Sequence, residues 1–165
     1  MPSALTLCQL ALSFIGDNAR ITNIDPPDGS VQASLCARFY PQVRDSLLCR
    51  YPFAFASRWQ TLPLLDAKNG LFFYALPADS IRPVRLRTSR AFTVDSQSLI
   101  TEDTGGELLY CFVQTDSERF SPPFSEALAW HLAADLAGAL IKGQSGAAQA
   151  KECLTTGERF LRSRR

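Results

Sequence analysis

The chain has 165 residues, of which 46% are hydrophobic and 20% charged, with a formal net charge of +1. That length fits one domain able to bury roughly 70% of the surface its unfolded form exposes, so no staple is needed to hold a core. The near-neutral balance excludes a strong overall field for nucleic acid or an anionic membrane, and any electrostatic role must come from a local patch.

The five cysteines, Cys8, Cys36, Cys49, Cys111 and Cys153, are scattered, and none forms a Cys-x-x-Cys. An odd, dispersed set argues against a disulfide framework or a zinc site and fits reduced thiols in a cytosolic compartment. Met1-Pro2-Ser3 lacks the basic region that precedes the apolar core of a signal peptide. The apolar run after it is broken by Thr6, Gln9 and Ser13 and stops at Gly16, too short to span a bilayer. The expectation is a protein made in the cytoplasm, with no membrane partner.

A first helix is expected from Ala4 to Ile15, with Ser3 as N-cap and Gly16 as the stop. Leu7, Ala11, Phe14 and Ile15 share a face that Cys8 and Leu12 widen. "DPPDG" at Asp25 to Gly29 marks a turn. A second helix is expected from Val31 to Arg50, with Val31, Leu35, Phe39, Val43 and Leu47 stepping by four along one side. Pro41 lies inside it, where it removes a donor and clashes with the preceding turn, at about 3 kcal/mol. A kink or break just before Pro41 is therefore expected, and Pro52 marks the end of the helix.

The texture changes between Phe53 and Val113. "FAFASRWQTLPLL", "LFFYALP", "IRPVRLRT", "AFTV", "SLITED" and "ELLYCFVQT" are short and rich in aromatic and β-branched residues. Turns are signalled at Lys68-Asn69-Gly70 and Thr104-Gly105-Gly106. Val84 and Leu86 alternate with Arg85 and Arg87, as on a half-solvated strand. These features predict an antiparallel β-meander.

Helical texture returns at Ser121, a capping residue followed by Pro122. Phe124, Leu128, Leu132, Leu136 and Leu140 recur every four residues among alanines. A last helix is expected from Gly146 to Leu161, capped by Ser145, with Ala150, Leu154 and Leu161 inward. The fold class is thus α+β: one domain over 1–165, with a bundle of about four helices and an inserted antiparallel β-meander. The helical body occupies 3–51 and 121–162, the β insertion 53–115, and a mobile basic tail 162–165.

Chemistry-bearing residues are sparse. The single histidine, His131, stands four residues before Asp135 on one helical face. This is either a general base held by a carboxylate or a structural polar pair, and the second is far commoner on a packed helix. "GQSGA" at Gly143 to Ala147 fails as a nucleophile elbow, because Ala147 replaces the second glycine and the serine follows a helix. A single histidine leaves no multi-histidine zinc site within one chain, and no phosphate-cradling loop or dinucleotide fingerprint occurs. No catalytic, metal or cofactor residue is assigned. Arg82, Arg85, Arg87 and Arg90 cluster in the β segment, and Arg159, Arg162, Arg164 and Arg165 crowd the end. The first group reads as a solvated strand face or as a contact with DNA phosphates or an acidic partner. The second reads as a flexible basic end that orders on a partner.

Several phrases, in order, resemble a known family. "ALSFIG" (11–16) is followed by "ARFYPQVRDSLLCRYPFAFA" (37–56), with its Arg-x-Pro-aromatic close. Leu-Pro-Ala-Asp at Leu76 to Asp79, "LITED", "LLYCFV" and "FSEALAWHLAADLAGAL" from Phe124 to Leu140 come next. From about Leu5 to Leu161 the set resembles the head-to-tail adaptors of short-tailed phages, the tail tubular protein A family. Two departures are Pro41, where a helix would continue, and His131, where a basic residue such as arginine would be expected.

The resemblance implies a non-enzymatic virion protein at the head–tail junction. It implies a wedge-shaped subunit of a ring, usually of twelve, that joins the portal to the tail nozzle and extends the DNA channel. On that reading its partners are its own copies, the portal, the nozzle protein and genomic DNA passing without sequence-specific contact. Arg159, Arg162, Arg164 and Arg165 would meet the portal, and Arg82, Arg85, Arg87 and Arg90 a neighbouring subunit or the channel. His131 and Asp135 would be a structural pair. The alternatives are a hydrolase or transferase built on that pair, or a non-viral cytoplasmic interaction module.

Overall fold

The computed structural model describes residues 3–162, so Arg164, Arg165 and the end of the expected tail lie outside the described residues. The chain is α+β, and within the described residues it has four α-helices and seven strands in two antiparallel sheets. It divides into two compact units. One is helical and comprises the residues up to Leu47 together with those from Thr115 onward; the other spans Leu48–Gln114 and holds all the strands.

In the helical unit, α1 spans Ala4–Phe14, and the Ser3 side chain accepts the Thr6 N–H at 3.1 Å as its cap. Its far end is closed by Gly16 at φ +78°, with Asp17 N donating to Leu12 O at 3.0 Å. Leu7, Cys8, Ala11 and Leu12 are buried. The loop after α1 is organised by Asp28, whose carboxylate accepts from Thr22 N at 2.6 Å and from Ser30 N at 3.0 Å. Ser30 Oγ in turn accepts the Ala33 N–H at 3.1 Å and caps the next helix.

Helix α2 spans Val31–Arg50 and runs through Pro41, so of the expected kink or break the break does not occur. Ten residues precede the proline in the helix and nine follow it, and the burial along both halves outweighs one missing hydrogen bond. The buried positions are Ala33, Cys36, Tyr40, Val43, Leu47 and Leu48, whereas Val31 is 65% exposed. The four-residue ladder read from sequence drifts by about 40° per step on a helix of 3.6 residues per turn, so it cannot stay on one face. Alternating steps of three and four can, and 33, 36, 40, 43 and 47 take them. Cys8 and Cys36 link α1 to α2: a hydrogen bond to the Cys36 thiol, aided by burial, pushes the Cys8 thiol well up.

Helix α3 spans Pro122–Leu140, and α4 spans Gln144–Arg162. Ser121 sits at the N-cap of α3 but its side chain makes no capping bond. Pro122 and Pro123 bring no N–H to the first turn, so most of what a capping hydroxyl would satisfy is missing. Eleven residues of α3 are buried, including five alanines, Phe124, Leu128, Leu132 and Leu136. Trp130 stacks on Phe14 of α1 at 3.8 Å between centroids, 9° off parallel.

The last helix begins earlier than expected, which places Ser145 inside its first turn instead of at the cap. Its buried residues are Gly146, Cys153, Gly157 and Leu161, whereas Leu154 is 43% exposed. Glycines take the inner face because the approach is close: a Cβ on Gly157 would lie 2.5 Å from His131 Nδ1 and 3.2 Å from Trp130 Cβ.

In the second unit, the strands are β1 (Ser57–Thr61), β2 (Leu64–Lys68), β3 (Leu71–Ala75), β4 (Ser80–Leu86), β5 (Phe92–Asp95), β6 (Ser98–Thr101) and β7 (Glu107–Phe112). They do not form the single meander expected. One sheet has the order β1-β7-β4, the other β2-β3-β6-β5. The split falls at Leu62-Pro63. Leu62 N donates to Gly106 O at 2.8 Å beside β7, and Pro63 O accepts from Ala75 N at 2.9 Å beside β3. Proline has no N–H to continue the first ladder, and the chain changes partner there. Asn69 at φ +53° and Gly70 at φ +78° make the expected tight turn between β2 and β3.

Leu62, Tyr74, Leu86, Leu99, Leu108 and Tyr110 form one core drawn from both sheets, with Phe72, Leu76, Phe92 and Phe112 packed around it. Pro83 stands in β4, an edge strand with register shifts on either side of it.

Replacing Pro41 with alanine restores a helical donor and removes a ring clash. The Pro41→Ala chain should be more stable by about 1–3 kcal/mol in urea unfolding followed by far-UV circular dichroism. A loss of stability would mean that the proline is held by packing worth more than the hydrogen bond.

Candidate functional site

His131 is 5% exposed in the middle of α3. Its Nδ1 lies 2.7 Å from the carbonyl oxygen of Ala127, which can only accept, so Nδ1 carries the proton and donates. Its Nε2 lies 3.4 Å from Glu158 Oε1 on α4. The expected partner was Asp135, but no hydrogen bond joins the two. Asp135 is exposed, and its carboxyl is held above the usual range by desolvation, with the nearby imidazole pulling the other way. Position i+4 placed Asp135 on the right stretch of helix, yet the ring turns toward the neighbouring helix, where Gly157 leaves it space. Among the described residues neither ring nitrogen meets a hydroxyl or a thiol. The arrangement can join α3 to α4; a nucleophile for it to activate is missing from the hydrogen bonds it makes.

The four β-segment arginines have four different settings. Arg82 Nη1 donates to Cys49 O and Arg50 O, both at 2.9 Å, and so satisfies the last carbonyls of α2. Arg87 grips Glu107 with two bonds, Nε to Oε2 at 2.6 Å and Nη2 to Oε1 at 2.7 Å. Arg90 faces Glu102 at 3.9 Å, both side chains largely exposed. Among the described residues Arg85 makes no ion pair; its guanidinium lies over the Trp59 ring, 5.1 Å from the centroid. The Arg87 guanidinium approaches the same ring at 4.6 Å. The register explains the meeting: Trp59 on β1 and Arg85 on β4 both stand opposite Leu109 of the central β7, in one row across the sheet.

A second cluster was not read from sequence. Arg58 Nε donates to Tyr110 Oη at 2.7 Å, and its Nη2 meets Asp79 Oδ2 at 2.5 Å. Tyr110 Oη donates to Gln60 Oε1 at 2.8 Å. The Arg58 guanidinium also lies 4.7 Å from the Phe112 ring centroid. The aspartate of the Leu-Pro-Ala-Asp phrase therefore holds an arginine from the first strand. In "SRWQ" the arginine stands beside a single tryptophan, and the partners of Arg58 lie 21 to 52 positions away.

At the other end of the chain, Arg159 and Arg162 are exposed on α4. They line a shallow groove of about 350 Å³ with Lys151, Leu154, Thr155 and Glu158. Among the described residues no group of three or more His, Cys, Asp or Glu side chains could hold a metal ion. All five cysteines are free thiols. Among the described residues, no helix is long and apolar enough to cross a membrane.

Two substitution sets test these settings. Gly157→Ala should cost about 1–2 kcal/mol, since overpacking against the buried ring exceeds the gain in helix propensity of about 1 kcal/mol. In a His131→Ala background the same change should be stabilising, and equal effects in both backgrounds would mean that the ring is not what Gly157 accommodates. Arg82→Ala should cost about 1–2 kcal/mol through the lost carbonyl bonds, and Arg85→Ala less than about 1 kcal/mol. Urea midpoints of these five variants against the parent chain check both. No protein-family model matches the chain, and no curated protein matches it.

Proposed function

We propose that the chain is a head-to-tail adaptor subunit of a short-tailed phage. Copies close into a ring that joins the portal to the tail nozzle and continues the DNA channel. The carrying observation is the ordered set of phrases that resembles the tail tubular protein A family, together with where those phrases fall. "ALSFIG" covers the end of α1 and its Gly16 stop. "ARFYPQVRDSLLCRYPFAFA" covers most of α2 and the short 3-10 turn, Ala54–Ala56, after it. Leu-Pro-Ala-Asp leads into β4, "LLYCFV" is β7 without Glu107 and with Val113 added, and "FSEALAWHLAADLAGAL" fills α3 up to its end.

The physical features agree with a building block. A ring needs two unlike, complementary faces on every subunit. The chain offers a helical unit and a β unit of different chemistry. On this reading the basic end of α4, Arg159 and Arg162, with Arg164 and Arg165 beyond it, meets the portal. In the β segment Arg82 and Arg87 are committed to internal partners, which leaves Arg85 the least engaged of the four. The protein would be made in the host cytoplasm and end in the virion. The hydrolase or transferase alternative gains no observation in its favour, because the His131 ring bonds to Ala127 and Glu158.

Mixing the protein with a portal from the same genome should give portal particles carrying an extra ring, visible by negative-stain electron microscopy. Deleting Arg159 to Arg165 should abolish or strongly weaken that docking while the circular dichroism spectrum stays helical. Bare portal particles at saturating protein would end the adaptor reading. Normal docking of the truncated chain would end only the assignment of its basic end.

A further inference from the structure

We infer that the outer face of the β1-β7-β4 sheet, centred on Trp59 and Arg85, binds an acidic segment of a different protein. This stands apart from the adaptor reading and holds whether or not the chain forms a ring.

A guanidinium lying over an indole is less free to move than one in open water, so less is lost when its planar fork binds. The Arg85 guanidinium lies over Trp59, 5.1 Å from the ring centroid; it is exposed, and among the described residues it makes no hydrogen bond or ion pair. Beside it, Arg87 also flanks Trp59 but spends its donors on Glu107. One fork is thus closed and the other open on the same ring. The indole is half-buried, and Leu109 lies in the same row between the two edge strands, so the open fork sits on an apolar floor. A carboxylate is matched by the fork, and the apolar floor weakens the competition from water.

Charge decides between kinds of partner. A nucleic-acid strand needs a track of several unpaired cations to release its counterions. Among the described residues this face has one, since Arg82 is spent on helix carbonyls and Arg87 on Glu107. With a net charge of +1 the chain adds no broad attraction. A second copy is the wrong partner as well. The only two adjacent acidic residues in the sequence are Glu102 and Asp103. Glu102 faces Arg90, and Asp103 accepts from Thr88 and from Gly105 N. An acidic run, as distinct from a single carboxylate, must come from another chain.

The test uses the full chain labelled with nitrogen-15 and follows its two indole N–H peaks at low ionic strength. Trp130, stacked on Phe14 in the helical unit, serves as the internal control. A capped hexaglutamate peptide should move the Trp59 peak saturably and leave Trp130 still. Arg85→Ala should weaken that binding at least tenfold, and Arg85→Lys, which keeps the charge but loses the fork, severalfold. A Trp59 peak that does not move, or moves with equal affinity in Arg85→Ala, overturns the inference. So does tighter binding of hexathymidylate than of the peptide, which would assign the face to nucleic acid. Movement with protein concentration alone would assign it to a second copy and overturn it equally.

Discussion

Helix α3 has eleven of its nineteen residues buried, so almost nothing about its surroundings is free. A helix covered on that many sides must be approached closely by its neighbours. Close approach demands small side chains, and alanine supplies them on α3 itself. On α4 the demand is met by Gly146 and Gly157, at positions where an added Cβ would strike a backbone carbonyl or the His131 ring. The aromatic stack of Phe14 on Trp130 fixes α1 against the same helix. The buried histidine follows from this geometry: an imidazole in so tight a layer must find polar partners within reach, and Ala127 O accepts from Nδ1 while Nε2 lies beside Glu158.

The β unit depends on a different constraint. β7 is the central strand of its sheet and is paired along both edges. Leu108 and Tyr110 point into the core while Leu109 lies on the opposite face beneath Arg85 and Trp59. Its two neighbours, β1 and β4, are edges, and each carries arginine. Those arginines and Arg87, just past β4, do not form one field: Arg58 on β1 is paired with Asp79, and the other three differ among themselves. One closes a helix end, one is neutralised by Glu107, and one stays open over an indole. A sequence count of cations overstates the charge that a partner would meet.

The same contrast separates the proposed roles. The adaptor reading draws on phrases and their order, and its physical support is a chain with two chemically unlike units. The acidic-partner reading draws on one guanidinium and the residues that hold it. They are compatible, and neither uses His131, whose ring is occupied in joining two helices.

Local signals determined much of the frame. Ser3 and Gly16 bound α1, Pro52 follows the end of α2, and Pro122 opens α3, because caps and imino rings act within a turn of where they stand. The asparagine–glycine turn and the alternation of Val84-Arg85-Leu86 were equally local. What only the tertiary structure decided was partnership across distance. It set which strands share a sheet once Pro63 ends a ladder, and which carboxylate meets His131. It also set which face of α2 turns inward when a four-residue ladder drifts off axis, and which of four arginines remains open. These choices are made by close packing and by the need to satisfy buried polar groups, and sequence spacing carries no term for either.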